Sequence, residues 1–174
     1  MRKLTYGAAA SLDGYIAGEQ DRIDWLRWTP EVSSIIKDYW KTIDTVLVGR
    51  KTYEVGRRSG KDSYPGMKAY VFSRTARLDP AEGVEPVTGD AVEFVRNLKR
   101  GAGADICLMG GAELARSLFE ANLIDEVGLN IHPVLLGSGV AMFLPISGQR
   151  DLELLECRPL QNGCVYVRYR LPNG

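Results

Sequence analysis

The chain reads as an α/β protein, with a mixed, mostly parallel sheet, helices on both faces and a C-terminal antiparallel hairpin. Three observations predict this. Apolar runs of strand length alternate with segments of helical spacing from Leu4 to His132. The last two alternating runs, Asp151 to Arg158 and Cys164 to Leu171, are joined around Asn162-Gly163, a strong hairpin signal. Four predicted strands also end in small, hydroxylic, glycine or cationic residues, which gathers one kind of chemistry at one edge of the sheet.

Taken in order, Leu4 to Ala10 is the first strand, kept slim at its end by Ala8, Ala9 and Ala10. Small residues there leave room for a flat ring. Ser11-Leu12-Asp13-Gly14 is a turn, since Asp-Gly favours one. Gly18 to Pro30 is an irregular loop holding Asp24, Trp25 and Trp28; its tryptophans are either core plugs or a pocket wall. From Glu31 to Thr42 the residues Val32, Ile35, Ile36, Tyr39 and Trp40 fall on one helical face. Pro30 and Glu31 suit the start of that helix.

Asp44 to Val48 is the second strand, and Gly49-Arg50-Lys51-Thr52 follows at once. Two cations in a first helical turn oppose the helix macrodipole, and an anion lodged there reverses the sign. The alternative is that both side chains bend into water. Gly56 to Gly66 is a polar loop, and Lys68 to Phe72 the third strand, ending in Ser73-Arg74-Thr75. An arginine at such a strand end is either a surface residue or a fork onto phosphate, including the 2′-phosphate that separates NADP from NAD.

Val84 to Val87 is a short strand, and Asp90 caps a helix reaching about Arg100, ended by Gly101 and Gly103. Ala104 to Met109 is a buried strand that turns into the helix Gly111 to Ala121 through Gly110-Gly111. Such a corner is either a tight turn or a phosphate site, because glycine lets a ligand approach free N–H groups at a helix start. Asp125 to His132 is a further strand closed by Pro133, with His132 read as structural, and Val134 to Val140 is a glycine-broken turn.

At 174 residues the chain is most simply one domain, 1–174, and 45% hydrophobic with 25% charged residues suits a soluble globular fold. Zero formal net charge gives no reason to expect nucleic acid or an anionic membrane. The N-terminus has no signal-peptide core, so a cytoplasmic home is expected. Cys107, Cys157 and Cys164 lack C-x-x-C spacing and His132 is the only histidine, which argues against disulfides and metal. In open α/β sheets the ligand sits outside the carboxyl ends of the strands. Ala9 to Ser11, Gly49 to Thr52, Ser73 to Thr75 and Gly110 to Glu113 together describe a crevice for an extended, multiply phosphorylated ligand.

The set S-L-D-G-Y-I-A, V-G-R-K-T-Y-E, V-F-S-R-T, G-G-A-E-L and I-H-P-V-L-L-G-S-G resembles the dihydrofolate reductase-like family, in order and over about the whole chain. It looks most like the RibD C-terminal domain branch, the reductase domain of bacterial riboflavin biosynthesis. The resemblance implies a dihydrofolate-reductase-like fold, NADPH as hydride donor and a homodimer. By position it puts Ala9, Ala10 and Ile16 near the nicotinamide, and Gly49, Arg50, Lys51 and Thr52 at the pyrophosphate. Ser73 and Arg74 would take the adenosine phosphate, and Gly110, Gly111, Ala112 and Glu113 would cradle the dinucleotide.

Three departures narrow this. The acid that holds a pteridine in true dihydrofolate reductases falls near Ser33 here, with Glu31 two residues earlier, which argues against folate. The H-x-E and P-C-x-x-C signatures of the linked deaminase are absent. No set of ribose-phosphate ligands can be matched. The expected activity is NADPH-dependent hydride transfer to a C=N or C=O of a small heterocyclic or pyrimidine-type substrate, similar to 5-amino-6-(5-phosphoribosylamino)uracil reductase. Asp13 and Asp24 are the candidate proton donors, with Glu31 a further carboxyl, and a donor would need a pKa raised by burial. The alternative is an NADP(H)-binding sensor or assembly module without turnover; a purely structural dimerisation domain leaves Arg50-Lys51 unexplained.

Overall fold

The computed structural model describes residues 1–74 and 80–172. The chain begins with β1 (Leu4–Ser11), a short β2 (Tyr15–Ala17) and a 3-10 turn at Glu19–Asp21. There follow α1 (Pro30–Trp40), β3 (Ile43–Gly49), α2 (Arg50–Arg58), β4 (Lys68–Phe72), β5 (Val84–Val87) and α3 (Ala91–Arg100). The remainder is β6 (Asp105–Met109), α4 (Ala112–Glu120), β7 (Glu126–His132), β8 (Val140–Ala141), β9 (Glu153–Pro159) and β10 (Val165–Arg170).

Eight strands form one sheet in the order β5-β4-β3-β6-β1-β7-β10-β9, and β2 pairs with β8 apart from it. All pairs from β5 to β7 are parallel, so those strands end at one edge. β10 runs antiparallel to both β7 and β9. The reversed strand therefore lies one place inside the sheet, and the edge strand β9 points with the parallel set. The C-terminal antiparallel hairpin is as expected, and it forms this edge of the sheet.

Alternation decides which layer each residue serves. Leu4, Tyr6 and Ala10 of β1, with Leu47, Ile106 and Leu108, pack against Val95 of α3 and Ala115, Leu118 and Phe119 of α4. The opposite face meets α1 and α2: Ile43, Val46 and Cys107 pack with Tyr39 and Trp40, and Val48, Ala69 and Val71 with Tyr53. Two helices on each face is the layering the alternation predicts.

Three other readings shift. α2 continues to Arg58, so the polar stretch from Gly56 is helical for its first three residues. β2 and β8 are absent from the sequence reading because two or three residues carry no period. Gly18 to Pro30 contains one 3-10 turn, with Gln20 and Asp21 at positive φ. Among the described residues no helix is long and apolar enough to cross a membrane, and no cluster of three metal-ligating side chains occurs.

Candidate functional site

The corners after β3 and β6 touch. Pairing of Leu47 with Leu108 brings Gly49 and Gly110-Gly111 to the same rim. A Cβ on Gly49 would lie 3.1 Å from Gly111 Cα, and one on Gly111 3.0 Å from Gly49 Cα. Gly110 and Gly111 adopt φ of +72° and +93°, and a Cβ on Gly110 would come within 3.0 Å of Thr52 Cγ2. These glycines are thus required twice over, by backbone conformation and by the closeness of α2 and α4.

Capping sorts the four helices. Thr29 accepts from Val32 N at the start of α1, and Asp90 accepts from Val92 N and Glu93 N at the start of α3. α2 and α4 begin at glycines, with no side-chain cap. The leading N–H groups of both helices, with the positive ends of their dipoles, stand side by side at the Gly49–Gly111 junction. That pairing suits an anion larger than one phosphate.

The cations around it divide. Arg50 Nη1 donates to Glu54 at 2.9 Å, so much of its misfit with the dipole is relieved within the helix. Lys51 is exposed and has no ion pair among the described residues. Arg58 pairs with Asp21 at 3.1 Å. At the end of β4, Ser73 N donates to Val87 O at 3.0 Å, while its buried Oγ has no hydrogen-bond partner among the described residues. Arg74 is exposed beside it, and Thr75 lies outside the described residues. Ala112 is buried in the first turn of α4, and Glu113 turns its carboxylate to Arg116 at 3.3 Å, leaving its N–H as its contribution to the rim.

Next to the rim, α1 and the sheet enclose a cavity of about 230 Å³. Thr5, Gly7 and Ala9 of β1, with Cys107, Met109, Gly128, Asn130, His132 and Tyr166, form its sheet side. Ile35, Ile36, Tyr39 and Trp40 form the α1 side, and Trp28, 54% exposed, stands at its mouth with Lys61 Nζ 4.6 Å above the ring. Ala9 lines the cavity. Ala10 does not: its side chain lies in the core of the other face, as does much of Ile16. Those two residues have only main chain or flank to offer a cofactor.

The two candidate acids stand elsewhere. Asp13 accepts from Ser11 Oγ at 2.6 Å, from Gly137 N at 2.8 Å and from Leu136 N at 3.1 Å. The Ser11 hydroxyl first, then these N–H groups, hold its carboxyl below the usual range, the opposite of what a proton donor needs. It staples the β1–β2 turn to the loop after β7. Asp24 is exposed and outside the cavity lining. Glu31 accepts from Gln161 N at 2.9 Å and also lies outside that lining.

Sequence reasoning missed most of the cavity. His132 is satisfied, as expected: Nδ1 accepts from Arg27 N at 3.2 Å, Nε2 lies 3.2 Å from Asn130, and Trp25 packs edge-on at 5.2 Å. Burial, with Arg27 adding to it, pushes its pKa down, so the imidazole is neutral. It is nonetheless part of the wall. Burial raises the Tyr39 phenol strongly and pushes the Cys107 thiol up to about 11, so both are neutral. The one signal available in sequence was the small alternating set Thr5, Gly7, Ala9.

The sequence matches the model of the RibD C-terminal domain family over residues 2–166. Uncharacterized protein YyaP of Bacillus subtilis (strain 168) is 32% identical over 180 residues, covering 97% of this chain and 94% of YyaP. Among solved structures, a protein of Shewanella sp. PV-4 provisionally assigned to riboflavin biosynthesis superposes with a TM-score of 0.84 at 22% identity, covering 98% of this chain and 99% of that one. A dihydrofolate reductase of Enterococcus faecalis, complexed with NADP(H) and RAB-propyl, gives a TM-score of 0.72 at 21% identity over 97% and 96% of the two chains. The chain belongs to the RibD C-terminal domain family and has a dihydrofolate-reductase-like fold.

Proposed function

We propose that this RibD C-terminal domain is an NADPH-dependent reductase acting on a C=N or C=O of a small heterocyclic substrate. The observation that carries the reading is the contact between Gly49 and Gly111, which puts two uncapped helix starts against each other beside an apolar cavity. The E. faecalis neighbour with NADP(H) lends the same cofactor class. The N–H groups opening α2 and α4 would hold the pyrophosphate, and Ser73 Oγ and Arg74 the adenosine phosphate. Ala9 leaves room for a ring at the sheet surface, and α1 excludes water above it. The bound cofactor supplies a hydride.

No carboxyl lines the cavity among the described residues, so the proton is taken from water at the mouth rather than from Asp13 or Asp24. This same lack favours a second reading, nucleotide binding without turnover. Titration with NADPH, followed by cofactor fluorescence, tests the shared part: submillimolar binding is expected, and no binding at that level removes both readings. A panel of imines, quinones, folates and pyrimidines then separates them, since oxidation of NADPH with any member supports the reductase. We also propose a homodimer, formed through the β9 edge, where Leu152, Leu154 and Leu155 are exposed together.

A further inference from the structure

The proton on the His132 ring can be located. The ring is neutral, because burial, with Arg27 adding to it, pushes its pKa down. One ring nitrogen therefore carries a proton and the other a lone pair. Nδ1 lies 3.2 Å from Arg27 N. A backbone N–H can only donate, so Nδ1 accepts and the proton sits on Nε2. Arg27 is not free to turn away. Its carbonyl accepts from Asn162 Nδ2 at 3.0 Å, and its Nη1 donates to Asn162 O at 3.0 Å. Asn162 Oδ1 in turn accepts from Cys164 N at 3.0 Å, so a backbone donor fixes which way round that amide lies. The turn between β9 and β10 thereby sets the tautomer of a ring on β7.

Nε2–H must then meet an acceptor. The group in front of it is the side chain of Asn130, two residues back on the same face of β7. The amide end nearest the ring is Nδ2, at 3.2 Å, which sets one donor against another. The other end, Oδ1, is buried with no hydrogen-bond partner among the described residues. A half-turn of the amide removes both faults at once, since its two ends differ in polarity and hardly in shape. Oδ1 then accepts from Nε2–H, and the NH2 group takes the unpartnered place. Asn130 lines the cavity, paired in the sheet with Ala9 of β1 on one side and Tyr166 of β10 on the other. Ala9 offers only a methyl group, and Tyr166 Oη reaches toward Gly128, 3.9 Å from where a Cβ would stand there. A buried N–H left without an acceptor is costly, so this wall calls for a ligand atom with a lone pair.

We propose that Asn130 selects the substrate by hydrogen-bond polarity: His132, held as its Nε2–H tautomer by the Arg27 N–H, turns the Asn130 amide so that its NH2 donates to a C=O oxygen or C=N nitrogen of the substrate. Asn130 is then a specificity-determining residue, and His132 the residue that positions it. Naming the ligand a substrate rests on the reductase reading; the tautomer and the polarity of the wall do not. His132 is the only histidine in the chain, so proton–nitrogen NMR correlation of isotope-labelled histidine reports one imidazole. At neutral pH the proton is expected on Nε2, with Nδ1 bare. The wall is read with two probes of similar shape, quinoline, whose ring nitrogen only accepts, and indole, whose N–H only donates. Wild type should bind quinoline about threefold or more tighter than indole. Asn130→Asp puts an acceptor toward the cavity while its second oxygen still takes the His132 proton, and should reverse that order. His132→Phe leaves the Asn130 amide free to turn and should bring the ratio close to one. A proton on Nδ1, equal affinities in wild type (no binding of either probe included), tighter binding of indole, an unreversed order in Asn130→Asp, or the full preference kept in His132→Phe would each overturn the proposal. The histidine spectrum needs no substitution, so it decides even where a variant fails to fold. NADPH titration of the wild type is separate: its failure removes the reductase reading and leaves the polarity of this wall standing.

Discussion

Asp13 and Arg74 show how one residue's surroundings decide its role. Asp13 is ionised and gathers a hydroxyl and two backbone N–H groups, so its work is to fix a turn. Because its folded pKa is lowered, its contribution to stability is complete above the unfolded value of about 4 and is lost as pH falls through the folded value. Asp13→Ala should therefore lower the melting temperature near neutral pH, with the gap to wild type closing in acid. Thermal melts across pH check this, and a gap that widens in acid would reverse the assignment. The variant should leave the pH profile of NADPH oxidation unshifted. Arg74 is exposed beside Ser73, whose Oγ has no partner among the described residues, at the end of β4. Arg74→Ala should weaken NADPH about tenfold and leave NADH nearly unchanged, the mark of a guanidinium on the 2′-phosphate. Parallel titrations with the two cofactors measure the difference.

At the level of the element, capping and glycine geometry separate helices whose first N–H groups are closed by a side chain from helices whose first N–H groups are left open. Thr29→Ala at α1 should cost about 1 kcal/mol and leave NADPH binding intact. Gly111→Ala at α4 forces a Cβ to 3.0 Å from Gly49 Cα at φ +93°. It should cost about 1–3 kcal/mol and also remove NADPH binding. Denaturant titration gives the first quantity and cofactor fluorescence the second. The Gly49 and Gly110-Gly111 corners were legible in sequence because strand, glycine and helical spacing follow one another along the chain. The cavity was not. Gly7, Cys107 and Gly128 meet only through the registers of β1 with β6 and β7, and no local pattern encodes a register. Ala10 was misplaced for a related reason: three alanines in a row do not say which of them faces which layer. The direction of β9 was likewise hidden, since a hairpin signal fixes the turn and not its place in the sheet.

Across the whole molecule, groups that suit an anion and apolar surface are kept apart on one edge: uncapped helix starts and cations on the rim, a largely apolar cavity beside them. Exposed leucines on the β9 edge predict self-association. Light scattering at micromolar concentration should give twice the chain mass, and Leu154→Lys should give the monomer; a wild-type monomer would refute the dimer. The central claim is the joint anion site where α2 and α4 begin, and a crystal structure with NADPH bound tests it most directly. The account predicts the pyrophosphate within hydrogen-bonding reach of N–H groups from both helix starts, with the nicotinamide beside Ala9. A pyrophosphate bound elsewhere, or contacting neither the Gly49 nor the Gly111 corner, would contradict it.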